Sequence, residues 1–227
     1  MRPDQQMLAN QYRRRFGAEG AYRDGVWSRI VSIVLRPRIG KPRRVLDLGC
    51  GWGEFSRHVA APERFAMDLN PEAAAHLDTG VRFLEHDCTR PWPLPDASLD
   101  LVFSSNFLEH LPDKAAVMAA LREARRCLAP GGQIVLVGPN LRFTGGAYWD
   151  FWDHHVPLTE RSLAEALELL DFRIEECRPR FLPYSMSQGR NPPLPLVSVY
   201  LHLPFLWPLV GRQFLLRAQV GEEAGDP

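Results

Sequence analysis

The chain has 227 residues, 45% hydrophobic and 24% charged, enough for one α/β domain with a buried core. Its 27 Lys and Arg balance its 27 Asp and Glu. The basic excess that phosphate neutralisation asks of a nucleic-acid enzyme is missing, so no nucleic-acid partner is expected. Cys50, Cys88, Cys127 and Cys177 form no CxxC pair, which argues against a zinc site and for reduced thiols in a cytoplasmic protein. A polar segment follows Met1, and Pro195, Pro204 and Pro208 interrupt the apolar residues 194–209. No signal peptide is therefore expected, and no run reaches the roughly 18 apolar residues of a membrane span.

Residues 12–40 carry Trp27, Ile30, Val31 and Val34 at helical spacing, which predicts an amphipathic lead-in within residues 1–43. Residues 44–48 (RVLDL) read as a buried parallel strand, with a helix expected over 54–60. A second strand is predicted at 64–68, a short Ala-rich helix at 71–77, an alternating strand at 81–86 and a fourth strand at 99–104. Residues 114–128 are good helix formers, Pro130-Gly131-Gly132 is a turn, and 133–137 is a fifth strand.

Beyond Pro139 the texture changes. Residues 141–157 are aromatic and irregular, and Thr159 offers an N-cap for a helix over 160–170. Residues 172–177 and 213–218 resemble strands, separated by a Pro-rich, aromatic, lid-like insertion at 179–211, and residues 221–227 form a polar tail. Strands alternating with helices predict parallel βαβ units in a doubly wound, Rossmann-like α/β sheet. With no internal repeat and no long linker, residues 1–227 read as a single domain.

The chemistry concentrates at residues 45–55, VLDLGCGWGEF. Glycines at Gly49, Gly51 and Gly53 let the chain turn sharply after the strand and leave no side chain between backbone and ligand. The following helix start presents N–H groups, and Asp68, ending the second strand, can accept both hydroxyls of a ribose. A dinucleotide site wants G-x-G-x-x-G, but the third glycine would fall at position 54, which is Glu54. The G-x-G-x-G spacing, with Asp47 inside the strand, suits a cationic sulfonium ligand better than NAD.

These residues resemble the class I methyltransferases that act on small molecules, lipids and sugars. Residues 45–53 match that family's first motif, Asp68 its ribose-binding acid, and residues 86–88 the segment where Asp87 and the Cys88 amide would hold adenine. Residues 95–102 and 121–132 match the approaches to the fourth and fifth strands. The resemblance implies S-adenosyl-L-methionine as cofactor and seven strands, mostly parallel, with an antiparallel last one. It implies a cofactor site drawn from Asp47, Gly49, Cys50, Gly51, Gly53, Asp68, Leu69, Asp87, Cys88 and Ser104.

Enzymes that methylate exocyclic or amide nitrogens often carry Asn/Asp-Pro-Pro-Tyr after the fourth strand. This chain has Ser104-Ser105-Asn106-Phe107 there, which argues against DNA adenine and protein amide acceptors. Some quinone-pathway relatives hold a metal near the position of Glu109-His110, but Asn106 stands where a second acid is wanted, so no required metal is expected. In residues 148–155 (YWDFWDHH) a histidine among aromatics could orient a polar acceptor and take its proton. His155 is preferred over His154 because Val156 and Pro157 restrain the backbone there.

The expected function is methyl transfer to a small-molecule, sugar or lipid-linked acceptor, and the apolar insertion offers a peripheral membrane contact. The competing readings are a non-catalytic adenosylmethionine-binding protein and a dinucleotide-dependent oxidoreductase.

Overall fold

In the computed structural model, residue 10, residues 20–183 and residues 191–221 are described. Tyr12 and its neighbours in the predicted lead-in, Tyr184 in the insertion and the tail beyond Gly221 lie outside that set. Seven strands form one sheet: β1 (Arg44–Leu48), β2 (Glu63–Asp68), β3 (Val81–Glu85), β4 (Leu99–Ser105), β5 (Leu128–Pro139), β6 (Phe172–Arg178) and β7 (Gln213–Val220). Their order is β3-β2-β1-β4-β5-β7-β6. The first five run parallel, and β7 runs antiparallel to both β5 and β6. The order reverses at β1, where the next strand in sequence goes to one side and β4 to the other. Open α/β sheets bind ligands in the crevice that this reversal creates at the strands' carboxyl ends.

The central strands are apolar nearly throughout because helices cover both faces. Leu46, Leu48, Val102, Ile134, Leu136 and Leu216 face one core, closed by α4 (Lys114–Cys127) and α6 (Glu160–Glu168). Val45, Leu101, Phe103, Val135, Val137 and Leu215 face the other. There they meet Val26 and Trp27 of α1 (Gly20–Arg29), the π-helical turns Ile30–Leu35 that continue into α2 (Arg36–Ile39), and Phe55 of α3 (Glu54–His58). Thr159 caps α6 in a reciprocal pair with Ser162, as its residue type predicts.

Two boundaries differ from the sequence expectation. Residues 71–77 form a 3-10 helix (Pro71–His76), entered through the Asn70 side chain, which accepts from the Glu72 amide. β5 begins at Leu128 rather than near residue 133, because Leu128 already pairs with Leu99 across a register shift. The insertion, to which the sequence reading assigned no secondary structure, contains α7 (Leu194–His202) and α8 (Trp207–Val210), which flank the 3-10 turn Pro204–Leu206. The short α5 (Leu141–Thr144) follows β5. Prolines lie in the first turn of both α7 and α8, where a missing N–H costs nothing.

Candidate cofactor and acceptor site

The chain leaves β1 through three glycines in the left-handed region, with φ of 69° at Gly49, 53° at Gly51 and 71° at Gly53. Gly49 is required twice over. A Cβ there would lie 2.1 Å from Cγ of Phe107, whose ring packs onto the turn from the loop after β4. The turn is held by its own amides: Gly49 and Cys50 donate to the Met67 carbonyl at 2.9 and 3.1 Å, Gly51 to Asp68 Oδ2 at 3.0 Å, and Gly53 to the Cys50 carbonyl at 2.9 Å. A pyrophosphate binds through such N–H groups when they are free. Here these four are spent inside the protein, which agrees with the sequence reading against a dinucleotide.

The ionisable groups lean the other way, toward a cation. Asp47, Asp68, Glu54 and Glu109 are all buried. Asp47, Glu54 and Glu109 line a cavity of about 150 Å³ that also takes in Gly49, Cys50 and Gly51. One cation, Arg23, lies in the wall and pairs with Glu54 at 2.7 Å. Burial, reinforced by the charges of Glu54 and Asp68, pushes the Asp47 carboxyl up to about 8 against the hydrogen bond from the Ser56 amide. A sulfonium or an ammonium brought beside Asp47 would relieve that repulsion. The residues present therefore fit adenosylmethionine, which carries both cations and no phosphate.

Asp68 also fits a ribose. Burial raises its carboxyl, while Oδ2 accepts from Gly51 and Oδ1 from the Asn70 amide at 2.9 Å. The Leu69 amide is a third backbone donor to this carboxylate, so of its about four acceptor sites about one remains for a hydroxyl.

Like Gly53 and Asp68, the remaining expected cofactor residues lie near the same strand ends but outside the cavity wall. Asp87 is fixed by the Thr89 amide at 2.9 Å and hydroxyl at 2.7 Å, and these bonds with the Arg90 charge outweigh burial and hold it below the usual carboxylate range. The Cys88 thiol is pushed up to about 12 by burial, so it is an inert packing group. Leu69 is exposed, and Ser104 donates to the Leu48 carbonyl at 2.9 Å, tying β4 to the end of β1. Ser105 and Asn106, one and two residues beyond Ser104, reach the cavity instead.

Asp47 gives a stability test. Its carboxyl is raised on folding, so its contribution is intact below the unfolded value near 3.8 and is lost as pH rises through about 8. Asp47→Asn is expected to flatten that decline and to make the ligand-free protein more stable than wild type at pH 9, by on the order of 1–3 kcal/mol. The same variant should weaken adenosylhomocysteine, which keeps the ammonium. Urea unfolding at pH 5 and pH 9 reads the first effect, and an equal wild-type stability at the two values would remove it.

The cavity wall also takes in Glu109, His110, Phe151, His154 and Gln213. His110 closes a single 3-10 turn, Leu108–His110, and its Nδ1 lies 2.9 Å from the Asp153 carbonyl and 3.1 Å from Asp153 Oδ2. Burial opposes the charged ring, but the Asp153 hydrogen bond and the Glu109 and Asp153 charges carry the His110 pKa above its ordinary value. His154 stacks on Phe151 with ring centres 5.0 Å apart and meets His110 edge-on at 4.9 Å. Tyr148, fully buried, donates its hydroxyl to the Val156 carbonyl and fixes the floor behind His154.

The two expected histidines separate here. From His154 to Leu158 burial alternates, with His154, Val156 and Leu158 inside and His155 and Pro157 outside. The His155 and Val156 amides both donate to the Glu109 carbonyl, at 2.9 and 3.1 Å. Side chains alternate across extended backbone, so the geometry puts His154 in the wall and His155 in solvent, the reverse of the expected preference.

Sequence reading missed the pairing of His110 with Asp153, 43 residues away, and the contributions of Arg23, Trp27 and Gln213. No local motif signals them. Glu109, His110 and His154 each offer one metal-ligand atom, all within 4.8 Å of one another. That donor set suits a divalent transition metal.

A methyltransferase-domain family profile matches residues 46–136. The chain is 31% identical over 140 residues to a probable S-adenosylmethionine-dependent methyltransferase of Mycolicibacterium smegmatis, covering 59% of this chain and 53% of the relative. It is 34% identical over 109 residues to a probable tocopherol O-methyltransferase of Oryza sativa, covering 43% of this chain and 29% of the relative. It thus spans about half or less of the length of these relatives.

Among solved structures it resembles a SAM-dependent methyltransferase from Thermotoga maritima, with a TM-score of 0.66 at 17% identity over 94% of this chain and 96% of that one. The N-methyltransferase NodS of Bradyrhizobium japonicum, solved with S-adenosylhomocysteine, matches with a TM-score of 0.59 at 17% identity over 86% of each chain. Glycine turn, buried acids and strand order agree with these likenesses: residues 46–136 match the methyltransferase-domain family, and the chain is similar to S-adenosylmethionine-dependent methyltransferases.

Proposed function

We propose that the protein methylates a hydroxyl of a small-molecule, sugar or lipid-linked acceptor, with His110 as the base. The observation that carries this reading is His110, paired with Asp153 from behind and set in the wall of the same cavity that the glycine turn and Asp47 line. Bound adenosylmethionine supplies the methyl group on a sulfonium, a leaving group already activated. The chain then has to align the acceptor, exclude water and accept one proton.

Asp153 engages Nδ1 of His110, which sets the tautomer and leaves Nε2 to take the hydroxyl proton. Phe151 and His154 give flat walls against which an acceptor ring can lie. Phe107, over Gly49, and Trp27 limit water at the reacting centre. With the cofactor bound, the cavity would hold the acceptor oxygen in line with the methyl group, and His110 Nε2 would take the proton that the oxygen loses on transfer.

The tocopherol relative is named for O-methylation, and so is a malonyl-[acyl-carrier protein] O-methyltransferase of Hahella chejuensis, 35% identical over 112 residues, 46% of this chain and 39% of that one. Both support an oxygen acceptor. The Glu109–His110–His154 trio works without a metal in this reading, and dialysis against EDTA should leave turnover intact.

The test is transfer of a labelled methyl group to fractions of a cell extract, with mass spectrometry of the product. An oxygen-methylated product is expected. Binding of the cofactor with no transfer to any fraction would favour the non-catalytic binding protein instead.

A further inference from the structure

We propose that the outer face of the insertion, α7 through α8, docks on the surface of an anionic lipid bilayer. Between Arg190 and Arg212 the sequence has no Asp, Glu, Lys or Arg. Nine large apolar side chains are exposed among the described residues, and five of them, Leu196, Val199, Phe205, Leu209 and Val210, come from this one segment. Phe205 and Leu209 are each at least 70% exposed. Exposed apolar side chains scattered singly need no explanation, but a concentration of this kind marks a contact surface.

The inner face of α7 is already satisfied. Leu194, Val197, Tyr200 and Leu201 pack into the core under α1, so closely that a Cβ on Gly25 would lie 2.8 Å from Leu194 Cδ1. What remains outside belongs to none of the walls of the candidate site.

Two observations select a bilayer over a protein partner. The aromatic residues with polar handles are turned inward: the Tyr200 hydroxyl donates to the Phe181 carbonyl, and Trp207 Nε1 donates to the Tyr200 carbonyl at 3.2 Å. The five outward side chains carry no hydrogen-bonding group at all. Protein interfaces carry about one hydrogen bond per 100–200 Å² and favour Tyr, Trp and Arg anchors, whereas a lipid surface asks only for apolar area.

The second observation is the rim. Arg29 bonds Ser198 Oγ at 3.0 Å, and Arg180 bonds the Gly211 and Leu209 carbonyls at 2.7 and 2.9 Å. Arg212 follows directly and is exposed. Among the described residues none of these three arginines has a carboxylate partner in reach, so their charge is available to anionic headgroups. No described helix is long and apolar enough to cross a membrane, and the contact proposed is peripheral. Where the methyl-transfer reading holds, this surface puts lipid-linked acceptors ahead of soluble ones.

The experiment is vesicle flotation of the whole protein. Vesicles of phosphatidylcholine alone are compared with vesicles containing roughly a third phosphatidylglycerol, enough to give a strongly negative surface. Binding is expected on the anionic vesicles and at least about tenfold weaker on the neutral ones. The double variant Phe205→Ser/Leu209→Ser should lose flotation while keeping adenosylhomocysteine affinity, which shows that it is folded. Arg212→Gln should lower binding to anionic vesicles only.

Wild-type protein that stays with the soluble fraction on both compositions overturns the proposal. So does a dimer in solution that the double variant dissolves, since a second copy would then cover the face. Flotation does not depend on turnover, so its failure is distinguishable from failure of the methyl-transfer reading.

Discussion

Gly49→Val is expected to abolish adenosylhomocysteine binding while the sheet survives. The position has φ of 69°, where a β-branched residue is strained, and the new Cβ would meet the Phe107 ring at 2.1 Å from Cγ and 2.3 Å from Cδ2. Strain of that kind costs about 1–3 kcal/mol by itself. The steric conflict adds to it, and it cannot be relieved by a small shift, because Phe107 is held between β4 and the Leu108–His110 turn. Either the ring is expelled into the cavity or the turn is displaced from the end of β1, and both destroy the cofactor's seat.

The affinity loss should be at least about 100-fold, close to 3 kcal/mol. Gly146→Ala is the matched control, since a Cβ there meets nothing within 4 Å. Isothermal calorimetry measures the first effect, and far-UV circular dichroism should show the sheet intact. A Gly49→Val protein that binds as wild type would mean that the turn does not carry the cofactor.

His110→Ala is expected to lower turnover roughly 10²–10⁴-fold with cofactor affinity nearly unchanged, the scale of losing a general base. His154→Ala should cost less, because that ring forms wall rather than proton acceptor, and His155→Ala should leave turnover near native. The pH profile separates a base from a structural ring. Only the neutral imidazole accepts a proton, so activity should rise with pH, with a midpoint above the ordinary histidine value near 6.5 because Asp153 and Glu109 favour the charged form. Asp153→Asn should bring that midpoint down. Identical profiles for wild type and Asp153→Asn, with full activity in His110→Ala, would leave alignment alone as the source of rate.

The parts of the fold written in local pattern were legible from sequence. β1 runs over residues 44–48 as the apolar run and its glycine stop predict, and α4 fills the stretch of strong helix formers up to Cys127. The glycine turn and Asp68 come together because both end adjacent parallel strands, Leu48 pairing with Met67. Sequence reading failed where the deciding contact is remote. The insertion's helices were hidden by Pro195 and Pro208, which usually break helices but here begin them.

The choice between His154 and His155 depended on which face of an extended segment is inward, and Glu109, more than 40 residues away, sets that by accepting two amides. The His110–Asp153 pair is equally remote. Burial shaped the electrostatics in a way composition could not show: a chain of zero net charge concentrates four buried carboxylates around its glycine turn.

Calorimetric titration of the purified protein with adenosylhomocysteine, run beside NADH under the same conditions, tests the central claim most directly. A chain whose turn amides are spent and whose cavity is lined by acids should give a saturable one-to-one isotherm with adenosylhomocysteine and no heat of binding with NADH. A saturable isotherm with NADH and none with adenosylhomocysteine would contradict the account.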